Sequence, residues 1–325
     1  MTNMYYKLDE KDRKILSELD LDSRVTDSEI AKKVGLSKQI VNYRIQRLIE
    51  NKIISNFYTL LNVGKLGFNS YYVFFQLQKI NKKKEEEIIE FLKKQKNIGW
   101  LVNCTGKWDM IFLIYAKSDF EFNSYLNEIQ IKYDEYLLEY EFTSLIEAEH
   151  ISYKSISTKN NKTIKQTEKE EKISLEETEI KLLNAISQNA RISVVELAEI
   201  TKEKIHVISY HLKKLIKNKI IEGFKPKLNI SELELQWYLL LIRFQPINEK
   251  RKNEFLKFCR SHPQIYYLTN TLGTYNLMID IHVKDAREFK EILLEIKEKY
   301  FDIIKFYETN IIFDEFKIDY VPELK

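Results

Sequence analysis

Five side chains between Ser37 and Asn51 are of the types that read the edges of bases. In SKQIVNYRIQRLIEN the apolar Val41, Ile45 and Leu48 are spaced four and three apart, so they share one face of a helix. The other face carries Gln39, Asn42, Tyr43, Gln46 and Arg47. Amides and hydroxyls pair with base edges, and arginine pairs with guanine or phosphate. Ser37 is placed to cap this helix, and Lys38 adds charge at its start. A second stretch has the same pattern, with Ile208, Leu212 and Leu215 on one face and Lys204, His206, Ser209, Tyr210, Lys213 and Lys214 as its candidate contacts. Ser37–Leu60 holds four Lys or Arg against one Glu, and Lys204–Lys227 holds seven Lys against one Glu. Such patches supply the salt-sensitive phosphate attraction of DNA binding, although the whole chain is only +3. A merely solvated polar face is the competing reading.

Other chemistry is sparse. Cys104 and Cys259 do not occupy matching positions and have no metal-ligand company, so they read as free buried thiols in a reducing cytoplasm. The five histidines show no ligand spacing, and His150, His262 and His282 are scattered among strand and loop positions. The expectation is therefore no metal, no cofactor, no catalytic residue and no enzyme activity. No apolar run reaches the length of a membrane span and the N-terminus has no apolar targeting core, so a cytoplasmic location without membrane partners is expected.

The elements that position these residues occur twice. RLIENKII (Arg47–Ile54) returns as KLIKNKII (Lys214–Ile221). At the same offset Leu8 meets Leu175, Arg24 meets Arg191, Gly106 meets Gly273 and Tyr153 meets Tyr320, with no insertion. In each repeat an amphipathic helix is followed by a capping-box signal, Thr26 with Glu29 and Ser193 with Glu196. A short helix then ends near Gly35, and the third helix follows. Asn51 and Asn218 are expected in the left-handed conformation that stops the third helix, with an extended segment after it. Three short helices and a β extension describe a winged helix-turn-helix. The rest of each repeat reads βαββαβ, a ferredoxin-like sheet. Its strands are apolar on both faces at Tyr71–Phe75 and Trp237–Ile242, while two helices cover only one face. A second sheet must cover the other, within the chain as a pseudo-dimer or between chains.

LDEKDRKIL, RVTDSEIAKKVGLS, RIQRLIENKII and TGKWD together resemble the Lrp/AsnC (feast/famine) family of transcription regulators, over almost the whole chain and twice. The resemblance implies an α+β fold in which two winged helix-turn-helix domains alternate with two ferredoxin-like βαββαβ (RAM-like) domains. The expected boundaries are 1–62, 63–153, a polar solvated linker at 154–173, 174–229 and 230–325. It also implies double-stranded DNA as partner, self-association through the RAM-like sheets, and a small amino-acid effector near Gly106 and Asp109, with Gly273 and Asn276 in the second repeat. A hairpin turn that needs glycine is the alternative reading of those positions. The second repeat departs from the pattern, with LGTYN for TGKWD and TKEK where the first has VGLS. Two other functions share the two-domain plan: a sirohaem-decarboxylase-like enzyme, and an architectural DNA binder without effector.

Overall fold

A computed structural model of the chain describes residues 6–154, 163–167, 172–187 and 189–324. The first repeat runs α1 (Glu10–Leu21), α2 (Asp27–Val34), α3 (Lys38–Glu50), β1 (Ile54–Leu61), β2 (Asn69–Leu77), α4 (Lys82–Lys94), β3 (Ile98–Gly106), β4 (Met110–Ala116), α5 (Asp119–Tyr133) and β5 (Leu137–Ile151). After β6 (Thr163–Thr167), the second runs α6 (Glu177–Ile186), α7 (Val194–Thr201), α8 (Ile205–Lys217), β7 (Ile221–Leu228), β8 (Gln236–Phe244), α9 (Glu249–Ser261), β9 (Ile265–Gly273), β10 (Leu277–Val283), α10 (Ala286–Tyr300) and β11 (Ile304–Ile318). Among the described residues no helix is long and apolar enough to cross a membrane.

The helix starts follow their local signals. Thr26 with Glu29 and Ser193 with Glu196 form reciprocal capping boxes. Gly35 closes α2 at φ 66°, and Ser37 accepts the Ile40 N–H at 3.3 Å. In the second repeat Lys202 holds the left-handed position at φ 59°, and Lys204 caps α8 with no side-chain bond. The end of α3 corrects the expectation for Asn51, which stays at φ −83° while Lys52 turns left-handed at φ 59°. The Ile53 N–H then donates to the Leu48 carbonyl at 2.9 Å, the bond of a Schellman stop. Asn51 sends its side-chain amide back to the Arg47 carbonyl at 2.8 Å. Asn218, Lys219 (φ 53°) and the Ile220–Leu215 bond repeat the arrangement. The repeated octamer thus encodes one helix stop, its left-handed residue one place later than expected.

The extended segments after the third helices do not stand as separate wings. β1 pairs antiparallel with β7, with Tyr58 opposite Lys225, and so joins the two heads. Arg24 donates to the carbonyls of Ala190 (2.6 Å) and Ile192 (3.0 Å), and Arg191 donates to those of Ser23 (2.7 Å) and Val25 (3.2 Å). These are equivalent positions, so the heads meet through a two-fold-like interface inside one chain.

The two ferredoxin-like halves also join, edge to edge. The nine-stranded sheet runs β2-β4-β3-β11-β8-β10-β9-β5-β6, and β5 also pairs with β2, which closes a barrel. β11 pairs with β8 of its own half and β3 of the other, and β5 likewise bridges β2 and β9. The expected cover for the second sheet face is therefore the barrel interior, reached by edge-to-edge pairing of the two sheets. On β4, Met110, Phe112 and Ile114 pack outward with α4 and α5, while Ile111, Leu113 and Tyr115 point inward. Trp108 Nε1 donates to the Tyr275 hydroxyl at 2.8 Å, a contact between equivalent positions of the two halves. The stretch expected as a free linker contributes β6, which pairs with β5; Ile164 is buried and Gln166 donates to the Leu61 carbonyl at 2.9 Å.

Candidate nucleic-acid interface and barrel cavity

The heads present α3 and α8 to solvent. Ser37, Lys38, Gln39, Asn42, Tyr43 and Gln46 are exposed on α3, and Lys204, His206, Tyr210 and Lys213 are exposed around α8, with Ser209 half-buried. Tyr43 and Tyr210 hold equivalent places at 63% and 62% exposure, which is far beyond what packing requires of an aromatic ring. Asn42 donates to Asp27 Oδ2 at 3.0 Å, and Asp27 Oδ1 takes Arg191 at 2.7 Å, so this amide is tied to the latch between the heads.

Two of the expected basic contacts, Arg47 and Lys214, also have internal partners. Arg47 meets the buried Asp12 at 3.2 Å and lies over the Tyr6 ring at 4.9 Å, and Arg44 holds Asp12 and Asp9 at 2.7 Å each. Lys214 repeats this with Glu176 at 2.5 Å and the buried Glu179 at 2.9 Å. His211 completes that cluster at 3.2 Å from Glu179, and the hydrogen bonds that Lys214 donates to Glu176 and Glu179 push its ammonium up. Glu176, Glu179 and His211 lie close enough to hold a metal ion, but Lys214 is the cation among them. The positive patch is also smaller than its sequence count. Lys225 is buried against Asp20 at 2.9 Å and Lys227 pairs with Glu315 at 3.1 Å, because β7 runs into the molecule.

Gly106, Asp109, Gly273 and Asn276 form two equivalent hairpins. The Leu77 N–H donates to Asp109 Oδ2 at 2.7 Å, and the Phe244 N–H donates to Asn276 Oδ1 at 2.9 Å. Carboxylate and amide oxygens clasp the strand end alike, so the clasp survives the Asp-to-Asn difference. Gly106 sits at φ 140° with the Thr309 carbonyl 2.3 Å from where a Cβ would lie, and Gly273 sits at φ 141° against the Phe142 carbonyl. These glycines admit the bridging strands β11 and β5 of the opposite halves.

The histidines that look scattered in the sequence converge in part. His150 and His282 both line a cavity of about 120 Å³ between the barrel interior and the head strands β1 and β7. Burial pushes each ring down to about 3, with Lys225 adding to the effect at His150, so both are neutral at pH 7. Asp280 and Trp237 share the lining, and Asp280 is pushed up to about 7 by burial and by Glu315, against the Trp237 bond. The signal for them was present in LMIDIHV, where Asp280 and His282 alternate with apolar residues.

Paired helix-turn-helix heads on a closed ferredoxin-like barrel define a DNA-binding protein with a second, barrel module. An AsnC-type helix-turn-helix domain matches residues 8–49, and a winged helix-turn-helix DNA-binding domain matches 175–222. The HTH-type transcriptional regulator FL11 of Pyrococcus furiosus is 34% identical over 122 residues, covering 38% of this chain and 80% of the relative. The transcriptional regulator AzlB of Bacillus subtilis is 30% identical, over 38% of this chain and 76% of its own length. The chain belongs to the Lrp/AsnC family of transcription regulators. Its tandem fold is similar to that of the siroheme decarboxylase NirDL, with a TM-score of 0.64 at 15% identity over 95% of this chain and 93% of that one. At that identity the likeness is one of fold.

Proposed function

We propose that α3 and α8 bind double-stranded DNA as a linked pair of unlike readers, and that the chain regulates transcription in this way without catalysing a reaction. The observation that carries this is the matched exposure of Tyr43 and Tyr210 on third helices whose opposite faces are buried, in heads locked by Arg24 and Arg191. Amide groups at Gln39, Asn42 and Gln46 suit adenine edges, while Lys213 suits guanine or phosphate. Replacing Tyr43 by Ala should cost about 1–3 kcal/mol at specific sites and little on random DNA. Fluorescence anisotropy on selected and scrambled duplexes measures this, and unchanged binding by both Tyr43→Ala and Gln46→Ala proteins would take α3 out of the interface. The enzymatic alternative predicts a Soret band in purified protein, and we expect none.

The amino-acid effector implied by the family resemblance would meet the hairpin of the first repeat. Asp109 offers an ammonium group a second carboxylate oxygen beyond its clasp bond, whereas Asn276 has an amide nitrogen there. Calorimetry against the common amino acids should then give one site per chain, lost in an Asp109→Asn protein whose clasp bond is retained.

A further inference from the structure

Five carboxylates are buried among the described residues: Asp12, Asp20, Glu149, Glu179 and Asp280. Four of them have basic partners: Asp12 has Arg44 at 2.7 Å, Asp20 has Lys225 at 2.9 Å, Glu149 has Arg260 at 2.6 Å and Glu179 has Lys214 at 2.9 Å. Asp280 has none; its Oδ1 accepts the Trp237 indole N–H at 2.7 Å. A buried acid without a counter-charge is costly to a fold.

The first repeat shows that the fold does not require it. The position equivalent to Asp280 is Leu113, and those equivalent to His282, Thr269 and Trp237 are Tyr115, Val102 and Ser70. The second half of the barrel has thus placed an acid, an imidazole, a hydroxyl and an indole where the first has Leu113, Tyr115, Val102 and Ser70, none of them ionised at pH 7. All four line the cavity. Asp280 and His282 are two apart on β10 and face the same way, about 7 Å apart along the strand. Among the described residues, both ring nitrogens of His282 and the Thr269 hydroxyl are buried without a hydrogen-bond partner. The other charges at the cavity cancel, Lys225 with Asp20 and Lys227 with Glu315. Aromatic rings wall it: Trp100 lies 6.3 Å from Trp237, Tyr266 stacks on His282 at 4.6 Å, and Tyr267 stands opposite Asp280 in the strand register.

We propose that this cavity binds a small organic cation, a protonated primary amine carrying a flat or apolar group, with the Asp280 carboxylate as its counter-charge. The ammonium N–H groups find acceptors in Asp280, in one His282 nitrogen and in the Thr269 hydroxyl, and the aromatic walls favour both the cation and its apolar substituent. Burial that leaves Asp280 only partly ionised without ligand agrees with a site completed by a positive charge. The inference does not rest on the DNA-binding reading and stands or falls separately from it.

The test uses the full chain and its own indoles. Tryptophan fluorescence, with Trp100 and Trp237 in the cavity wall and Trp108 outside it, is titrated with butylamine, benzylamine and phenethylamine, and with butanol, benzyl alcohol and phenethyl alcohol as uncharged counterparts. At least one amine should give a saturable change, with its alcohol weaker by about tenfold or more. The Asp280→Asn protein should lose about tenfold or more for the amine and little for the alcohol. Asp280→Leu, which restores the residue of the first repeat, should lose the amine preference while keeping a cooperative melt. Absence of saturation by every amine, equal response to amine and alcohol, or undiminished amine binding in Asp280→Asn each overturns the proposal. The wild-type comparison of amine with alcohol decides the matter even if a variant folds poorly.

Discussion

His282 is buried with both ring nitrogens unpaired, and that has a pH consequence. Its folded value of about 3 lies below the ordinary 6.5, so between those values the unfolded chain binds a proton that the folded chain does not. Stability contributed by the neutral ring is present above pH 6.5 and is lost as pH falls towards 3. A His282→Phe protein lacks this loss. Relative to wild type it should gain about 2 kcal/mol between pH 7 and pH 5. Urea unfolding at the two pH values measures the difference, and parallel pH slopes would mean that the folded ring takes up its proton freely. At this scale the sequence was legible where a residue acts through its neighbours in the chain. Ser37, Thr26 and Ser193 cap the helices they precede, because a cap needs only the next three residues. Asp280 and His282 were missed because every position of β10 is buried, so polarity alone did not tell which face lines a cavity.

Lys52 and Lys219 carry the left-handed turns at the ends of α3 and α8, where a side chain is disfavoured by about 1–2 kcal/mol. Replacing either by Gly should raise stability by about 1 kcal/mol after the entropy of the unfolded glycine is offset. Thermal melts of the single and double variants test this, and destabilisation would mean that the lysine side chains make contacts that outweigh the backbone cost. The reverse experiment applies at Gly106. Alanine there would press its Cβ into the Thr309 carbonyl of β11, and a loss of about 3 kcal/mol or more is expected, read from urea midpoints. Helices, their caps and the βαββαβ order could be read from periodicity within each repeat. The pairing of β1 with β7 and the cross-half pairing of β5 and β11 could not. An edge strand's own pattern says that it will pair but not with which partner. The two-sided apolar run Tyr71–Phe75 demanded cover, and a stacked sheet and a closed barrel satisfy that demand equally. For the same reason the polar stretch at 154–173 concealed β6, whose five residues add to β5 through backbone bonds and bury Ile164.

At the scale of the whole molecule, duplication within one chain has let two joined readers diverge. The heads meet as a symmetric dimer would, through equivalent arginines and paired strands. The faces proposed to read DNA differ: Gln39, Asn42, Tyr43 and Gln46 on one side correspond to His206, Ser209, Tyr210 and Lys213 on the other. A homodimer copies its two-fold axis into a palindromic site, whereas this chain keeps the axis for the backbone and abandons it for the side chains. The preferred site should therefore hold two unlike half-sites about one helical turn, roughly 34–36 Å, apart. The α3 half should be read more strictly, because its amides pair with particular base edges while Lys213 also accepts any phosphate. Selection from random DNA at limiting protein concentration gives the site directly. Replacing Arg24 and Arg191 together by Ala removes the latch and also frees Asp27, the partner of Asn42. It should relax the spacing between the half-sites while leaving their sequences intact outside the base that meets Asn42. Recovery of a short inverted repeat with both halves equally constrained would count against unlike heads, and unchanged spacing in the double variant would place the rigidity in the β1–β7 pair instead of the arginines.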